Sequence, residues 1–279
     1  MVRLTPLVGA VGVMRSKDVF ADGLRGIAAI SVLMCHYVLA FWAPGPTIGL
    51  IANVPDLPQG VAPAVSKWLL ETPMTFSLAA FGVSLFFLIS GYVIPLSMDR
   101  LDTVAFARAR VWRILPTYGF PAYVIAGYAP ALDFMFVGVL ISFHRSEKIG
   151  PTTTIAAIAF VLATSLYFTY TTQGLITLVS YIFAAAVFIT AYLFRAHFPD
   201  IALLRGLSAI SYPLYVVHGL MGYVAMRIML DHGVPPAGVV VLATLLALAV
   251  STAIHFLVEK PTQKIGRTQS IKLVAQAAE

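Results

Sequence analysis

The chain has 279 residues, of which 59% are apolar and only 11% charged, with a net charge of +6 and a mean hydropathy of +0.89. A soluble domain carries about twice that share of charge, so the composition excludes an ordinary soluble globular protein. It points instead to an all-α, polytopic membrane bundle. The basic excess does not mark a nucleic-acid binder, because the charges fall in short loops between apolar runs, as the positive-inside rule describes. The single cysteine, Cys35, lies inside the first of these runs, so no disulfide framework can form.

The apolar run Leu4–Met14 is too short to span a bilayer and is followed by Arg15 and Lys17. Residues 1–20 therefore read as a cytoplasmic lead. Eight spans are predicted from length and apolar continuity, at 23–42, 74–96, 113–129, 131–147, 153–171, 174–194, 207–230 and 237–258. A tight turn at Pro130 separates the third from the fourth. With the N-terminus inside, all 18 lysines and arginines except Lys67 and Arg227 fall on the inner side. Both termini are then cytoplasmic, with residues 21–260 forming the membrane domain and 261–279 a cytoplasmic tail. The Pro- and Gly-rich stretch Ala43–Pro73 reads as an outer loop without a domain of its own.

The first span, DGLRGIAAISVLMCHYVLAFW (Asp22–Trp42), holds two ionisable residues. Arg25 and His36 lie eleven residues apart, which brings both to nearly one helix face. The rise between them is about 16 Å, so Arg25 sits near one bilayer surface and His36 near the midplane. An ionisable group at that depth costs at least about 2.5 kcal/mol and marks a functional site by default. A histidine held there for packing alone is the other reading of the same residue. In the second span, FFLISGYVIP (Phe86–Pro95) offers Ser90 and Gly91 for close helix approach and Pro95 as a kink or end.

Next, ARARVWRILPTY (Ala107–Tyr118) crowds Arg108, Arg110 and Arg113 at the inner entry of the third span. Arg110 and Arg113 share a helical face. Two guanidinium forks suit a phosphorylated ligand, and they equally suit lipid headgroups as ordinary positive-inside charge. The seventh span carries SAISYPLYVVHGLMGYV (Ser208–Val224), with Ser211, Tyr215 and His218 on one face and His218 at a depth matching His36. Two histidines at one depth can line a cavity or make a packing hydrogen bond. The eighth span ends with Ser251, His255 and Glu259 on one face, where a structural His255–Glu259 pairing is expected.

Taken together these stretches resemble the acyltransferase 3 family of membrane O-acyltransferases. DGLRGIAAISVLMCH resembles its Arg-x10-His first-helix signature, and FFLISGYVIP its second-helix motif. RARVWRILPTY is similar to its Arg-rich entry into the third helix, SYPLYVVH to its late Ser-Tyr-x-x-Tyr-x-x-His motif, and VEKPTQKIGR to its C-terminal Glu-x-Pro close. The resemblance covers residues 18–118 and 203–267, with a looser match over Phe134–Ser142. The chain departs from the family in carrying fewer helices and no Trp-Ser-Leu-x-x-Glu-like motif after Trp112, and so reads as a shortened member.

The resemblance implies transfer of an acyl group, commonly acetyl, from cytoplasmic acyl-CoA to a hydroxyl of a sugar, envelope glycan or similar acceptor, in a bacterial inner membrane. It implies His36 as the catalytic general base, a role that wants a neutral imidazole. Arg25, Arg110 and Arg113 would hold the phosphates of acyl-CoA, while Ser211, Tyr212 and His218 would complete the substrate-binding wall. Membrane lipid is the expected surrounding, with no metal and no nucleic acid. Two other readings stay open: a catalytically impaired paralogue, and a small polytopic transporter of a glycan or lipid. Inverted repeats would favour the transporter, and the sequence shows none.

Overall fold

A computed structural model describes residues 18–44, 55, 57, 61–73, 75–98 and 122–262, without the side chains of 97–98 and 122–132. Arg110 and Arg113 lie outside the described residues. The elements are α1 (Val19–Met34), prolonged by a widened π-type turn (Cys35–Leu39) and a 3-10 turn (Ala40–Trp42), then α2 (Ala64–Glu71), α3 (Leu78–Met98), α4 (Ala122–Arg145) and α5 (Pro151–Gln173). They continue with α6 (Leu175–Leu193), α7 (Ala202–Val217), α8 (Leu220–Asp231) and α9 (Pro236–Ile254), which ends in a second π-type turn (His255–Glu259). No strand occurs among the described residues.

Five stretches are long and apolar enough to cross a bilayer: Val19–Trp42, Leu78–Leu96, Pro151–Gln173, Leu175–Leu193 and Pro236–Thr262. The α7–α8 pair makes a sixth if taken as one broken span. Among the described residues, then, there are five or six where eight were predicted across the whole chain.

Two boundaries differ from expectation. The tight turn at Pro130 is absent, because α4 runs as one helix of 24 residues through that position. An apolar bundle tolerates a proline inside a helix when neighbouring groups satisfy the freed carbonyl. Pro95 behaves likewise, since α3 continues past it to Met98. The predicted straight span 207–230 breaks at His218–Gly219, where the chain bends by 72°. Gly219 leaves the helical region with ψ of −87°, and glycine has little intrinsic preference to stay in it.

α1 runs through the centre and belongs to two cores. Its first half (Phe20, Leu24, Ala28, Val32) packs with Leu85, Leu88 and Tyr92 of α3, Phe134 and Val137 of α4, and Tyr181 and Phe188 of α6. Its second half (Leu33, Tyr37, Phe41, Trp42) packs with Leu214 of α7, Tyr223 and Met226 of α8, and Val239, Ala243 and Ala247 of α9. Lipid is as apolar as leucine, so such helices associate through close packing and hydrogen bonds rather than hydrophobic drive. Gly91 shows how: a Cβ there would collide with the Met135 backbone of α4. Tyr92 near the end of α3 and Arg145 at the end of α4 meet Phe20 and Asp18 at the start of α1, which defines one rim of the bundle.

Candidate active site

His36 sits in the widened turn that ends α1. A π-type turn holds one residue more than a regular turn, interrupts the α-helical bonding pattern, and often marks a functional position. The turn is braced from within, as Trp42 Nε1 donates to the Tyr37 carbonyl at 2.8 Å. Tyr37, Phe41 and Trp42 are all buried beside it. The half-buried His36 ring therefore faces the α7–α8 side of the bundle and meets two side chains there.

The first is Tyr223 of α8, whose hydroxyl hydrogen-bonds His36 Nδ1. The second is His218, which caps α7 and is only 6% exposed. The two imidazoles stand edge to face with centroids 4.7 Å apart. His218 Nδ1 lies 2.9 Å from the Leu214 carbonyl oxygen, and Tyr215 flanks its ring at 5.6 Å. Tyr215 in turn stacks on Phe86 of α3. The matched depth of His36 and His218 thus becomes direct ring contact. Tyr223 went unseen in the sequence, because on a straight helix five residues place it about 140° around from His218. The 72° bend between the two helices is what brings both to one ring.

The other predicted residues lie nearer the rim. Arg25 is half-buried and pairs with Asp22 at 3.4 Å, one turn earlier on α1. Asp22 also accepts from Ser208 Oγ at 3.2 Å, tying α1 to α7. Ser211 is buried and donates to its own helix at the Ser208 carbonyl, 2.7 Å away, so it supports α7 locally. Tyr212, the next residue, is half-buried. Beside this network Asp18 pairs with Arg145 at 2.8 Å, and Arg145 lies 5.6 Å over the Tyr92 ring.

The site therefore has two levels, an ionic rim and a deeper layer of His36, His218 and Tyr223. The predicted His255–Glu259 pairing is present at 2.8 Å in the second π-type turn. Asp133 was not singled out in the sequence, although it falls inside the predicted span 131–147, and it lies half-buried within α4. An acid inside an apolar run was the signal for it. On another side of α1 a groove of about 510 Å³ is walled by Leu24, Ile27, Phe183, Val187, Phe194 and Phe198, and neither histidine lines it. Among the described residues no cluster of histidine, cysteine and carboxylate side chains has metal-ligand geometry.

Fold and site together define an integral membrane helix bundle that brings a half-buried imidazole against a buried imidazole and a buried phenol, an arrangement suited to moving a proton inside the bundle. Residues 18–144 match the family model described as an acyltransferase domain, the acyltransferase 3 family whose motifs the sequence resembles. The match supports a membrane acyltransferase in general. It takes in α1, with Arg25 and His36, and α4 up to His144. His218 and Tyr223 fall beyond it, and the fold joins them to His36. No curated protein and no solved structure matches the chain.

Proposed function

We propose that the protein is a membrane O-acyltransferase that moves an acyl group, acetyl in the first instance, from acyl-CoA to a hydroxyl of a sugar or envelope glycan. The observation that supports this reading best is the meeting of His36 and His218, 182 positions apart in the chain, within the bundle of an acyltransferase-family protein. Acyl transfer to a hydroxyl needs a group that removes the acceptor proton as the oxygen attacks the thioester carbonyl. An imidazole pair shielded from bulk water meets that need without a metal.

Acyl-CoA is here a substrate, and the rim fits its chemistry. Arg25 offers a half-buried guanidinium, the fork that binds phosphate oxygens bidentately, beside Asp22 at the rim. Arg110 and Arg113 are proposed to add two more such forks. The rim is accordingly assigned to the cytoplasmic face of a bacterial inner membrane, where acyl-CoA is made.

The test is direct. Purified protein given radiolabelled acetyl-CoA and isolated envelope glycan transfers label to the glycan, and cells lacking the gene lose O-acetyl groups from that glycan. Absence of both effects contradicts the proposal. Calorimetry of coenzyme A binding to the Arg110→Ala/Arg113→Ala variant should show affinity weakened by about tenfold or more, as expected when charge-assisted bonds to phosphate are lost. Unchanged affinity removes those two residues from the donor site.

A further inference from the structure

The two imidazoles are not equivalent, and their hydrogen-bond partners say how. A neutral imidazole has one N–H donor and one lone-pair nitrogen, and the partner of one nitrogen fixes the state of the other. His218 Nδ1 faces the Leu214 carbonyl oxygen at 2.9 Å. A carbonyl oxygen only accepts, so Nδ1 carries the hydrogen and Nε2 is left as the lone pair. His36 Nδ1 faces the Tyr223 hydroxyl. Between a phenol and an imidazole, the phenol is the better donor and the ring nitrogen the better acceptor. Tyr223 therefore donates to Nδ1, and the hydrogen of His36 moves to Nε2.

We infer that His218 is the proton acceptor of the acyl-transfer site, that His36 is a fixed N–H donor, and that Tyr223 is the positioning residue that holds His36 in that tautomer. The inference rests on the acyltransferase reading for its chemistry, though not for its proton positions. In the reaction the acceptor oxygen forms the new C–O bond to an acyl thioester while its proton passes to His218 Nε2. The carbonyl electron pair moves onto oxygen and is met by the His36 Nε2–H, the kind of fixed donor that stabilises an oxyanion. Collapse of that intermediate breaks the C–S bond, and the departing thiolate takes the proton from His218 Nε2. Both rings finish as they began.

This division revises the expectation that His36 alone is the base. It also gives the α7–α8 break a purpose. One continuous helix would carry Tyr223 to another face, whereas the 72° bend lets His218 and Tyr223 approach His36 together.

The experiment reads protons rather than turnover. Full-length protein labelled with ¹⁵N at its six histidines is placed in nanodiscs of phospholipid above the titration range of imidazole. Nitrogen shifts are assigned by the loss of signals in His36→Gln and His218→Gln. The inference predicts His218 protonated on Nδ1 and His36 on Nε2. It also predicts that Tyr223→Phe shifts His36 toward the Nδ1-protonated form while His218 is unmoved.

His218 found protonated on Nε2, or His36 on Nδ1, overturns the inference. The wild-type spectrum decides this even if Tyr223→Phe does not fold. In the labelled transfer assay, His36→Gln keeps an amide N–H donor and should retain at least about tenfold more activity than His218→Gln. The reverse order also overturns the assignment. Absence of transfer from the wild type, with the tautomers as stated, contradicts the acyltransferase reading and leaves the proton positions standing.

Discussion

Among the described residues the bundle uses a widened turn twice, at Cys35–Leu39 and at His255–Glu259, and each carries a histidine bonded through Nδ1. His255 finds its partner four residues away on its own turn, at 2.8 Å. His36 finds its partner 187 residues away on another helix. The first arrangement forms whenever that turn forms. The second forms only when α1, α7 and α8 have assembled, so ring orientation depends on tertiary packing. The neighbourhoods differ in the same sense: Phe256, Leu257 and Val258 are exposed beside His255, whereas Tyr37 and Phe41 are buried beside His36. One local device thus serves a self-contained pairing in one place and a site in the other.

Several changes break or sharpen that contrast, beginning with the largest effect. His36→Ala is expected to lower acyl transfer by about 10²–10³-fold, the usual cost of removing one fixed oxyanion donor. His255→Ala should stay within a few-fold of wild type, as measured with labelled acetyl-CoA on purified proteins. Similar losses from both would erase the distinction. Gly222→Ala attacks the long-range partner without touching either ring, because the new Cβ would collide with the Tyr37 side chain. It should displace α8, destabilise the fold by about 1–3 kcal/mol, and lower transfer. Thermal unfolding followed by size exclusion, together with the same assay, checks both effects.

Ser208→Ala removes the hydroxyl that joins α7 to Asp22 at the rim. A loss of about 1 kcal/mol is expected, visible as a small shift in thermal midpoint. The smallest change belongs to Glu259→Gln, which removes the charge from a partly buried pairing on one helix. It should cost about 0.5 kcal/mol or less and leave transfer unaltered.

Much of this was legible in the sequence where information is local. The predicted spans 153–171 and 174–194 correspond to α5 and α6 because uninterrupted apolar runs specify their own helices. His255 and Glu259 are four apart, so their pairing follows from helical spacing. That His36 and His218 lie at one level was readable for the same reason, and their rings meet.

The pairing of His36 with Tyr223 was not readable, since it depends on a turn one residue too wide and on a bend whose angle no short motif encodes. Pro130 misled in the opposite direction. Read as a turn, it divided one helix into two spans, although a bilayer interior tolerates proline in mid-helix. The Asp18–Arg145 pair, 127 positions apart, joins the rim through packing that no periodicity announces.

The account stands most directly on the side chain of His36. Wild type and His36→Ala, purified in parallel, folded alike by thermal unfolding, are each incubated with radiolabelled acetyl-CoA and glycan acceptor. The account predicts label in the glycan with wild type and a loss of at least about a hundredfold in the variant. Equal labelling by the two proteins would contradict it.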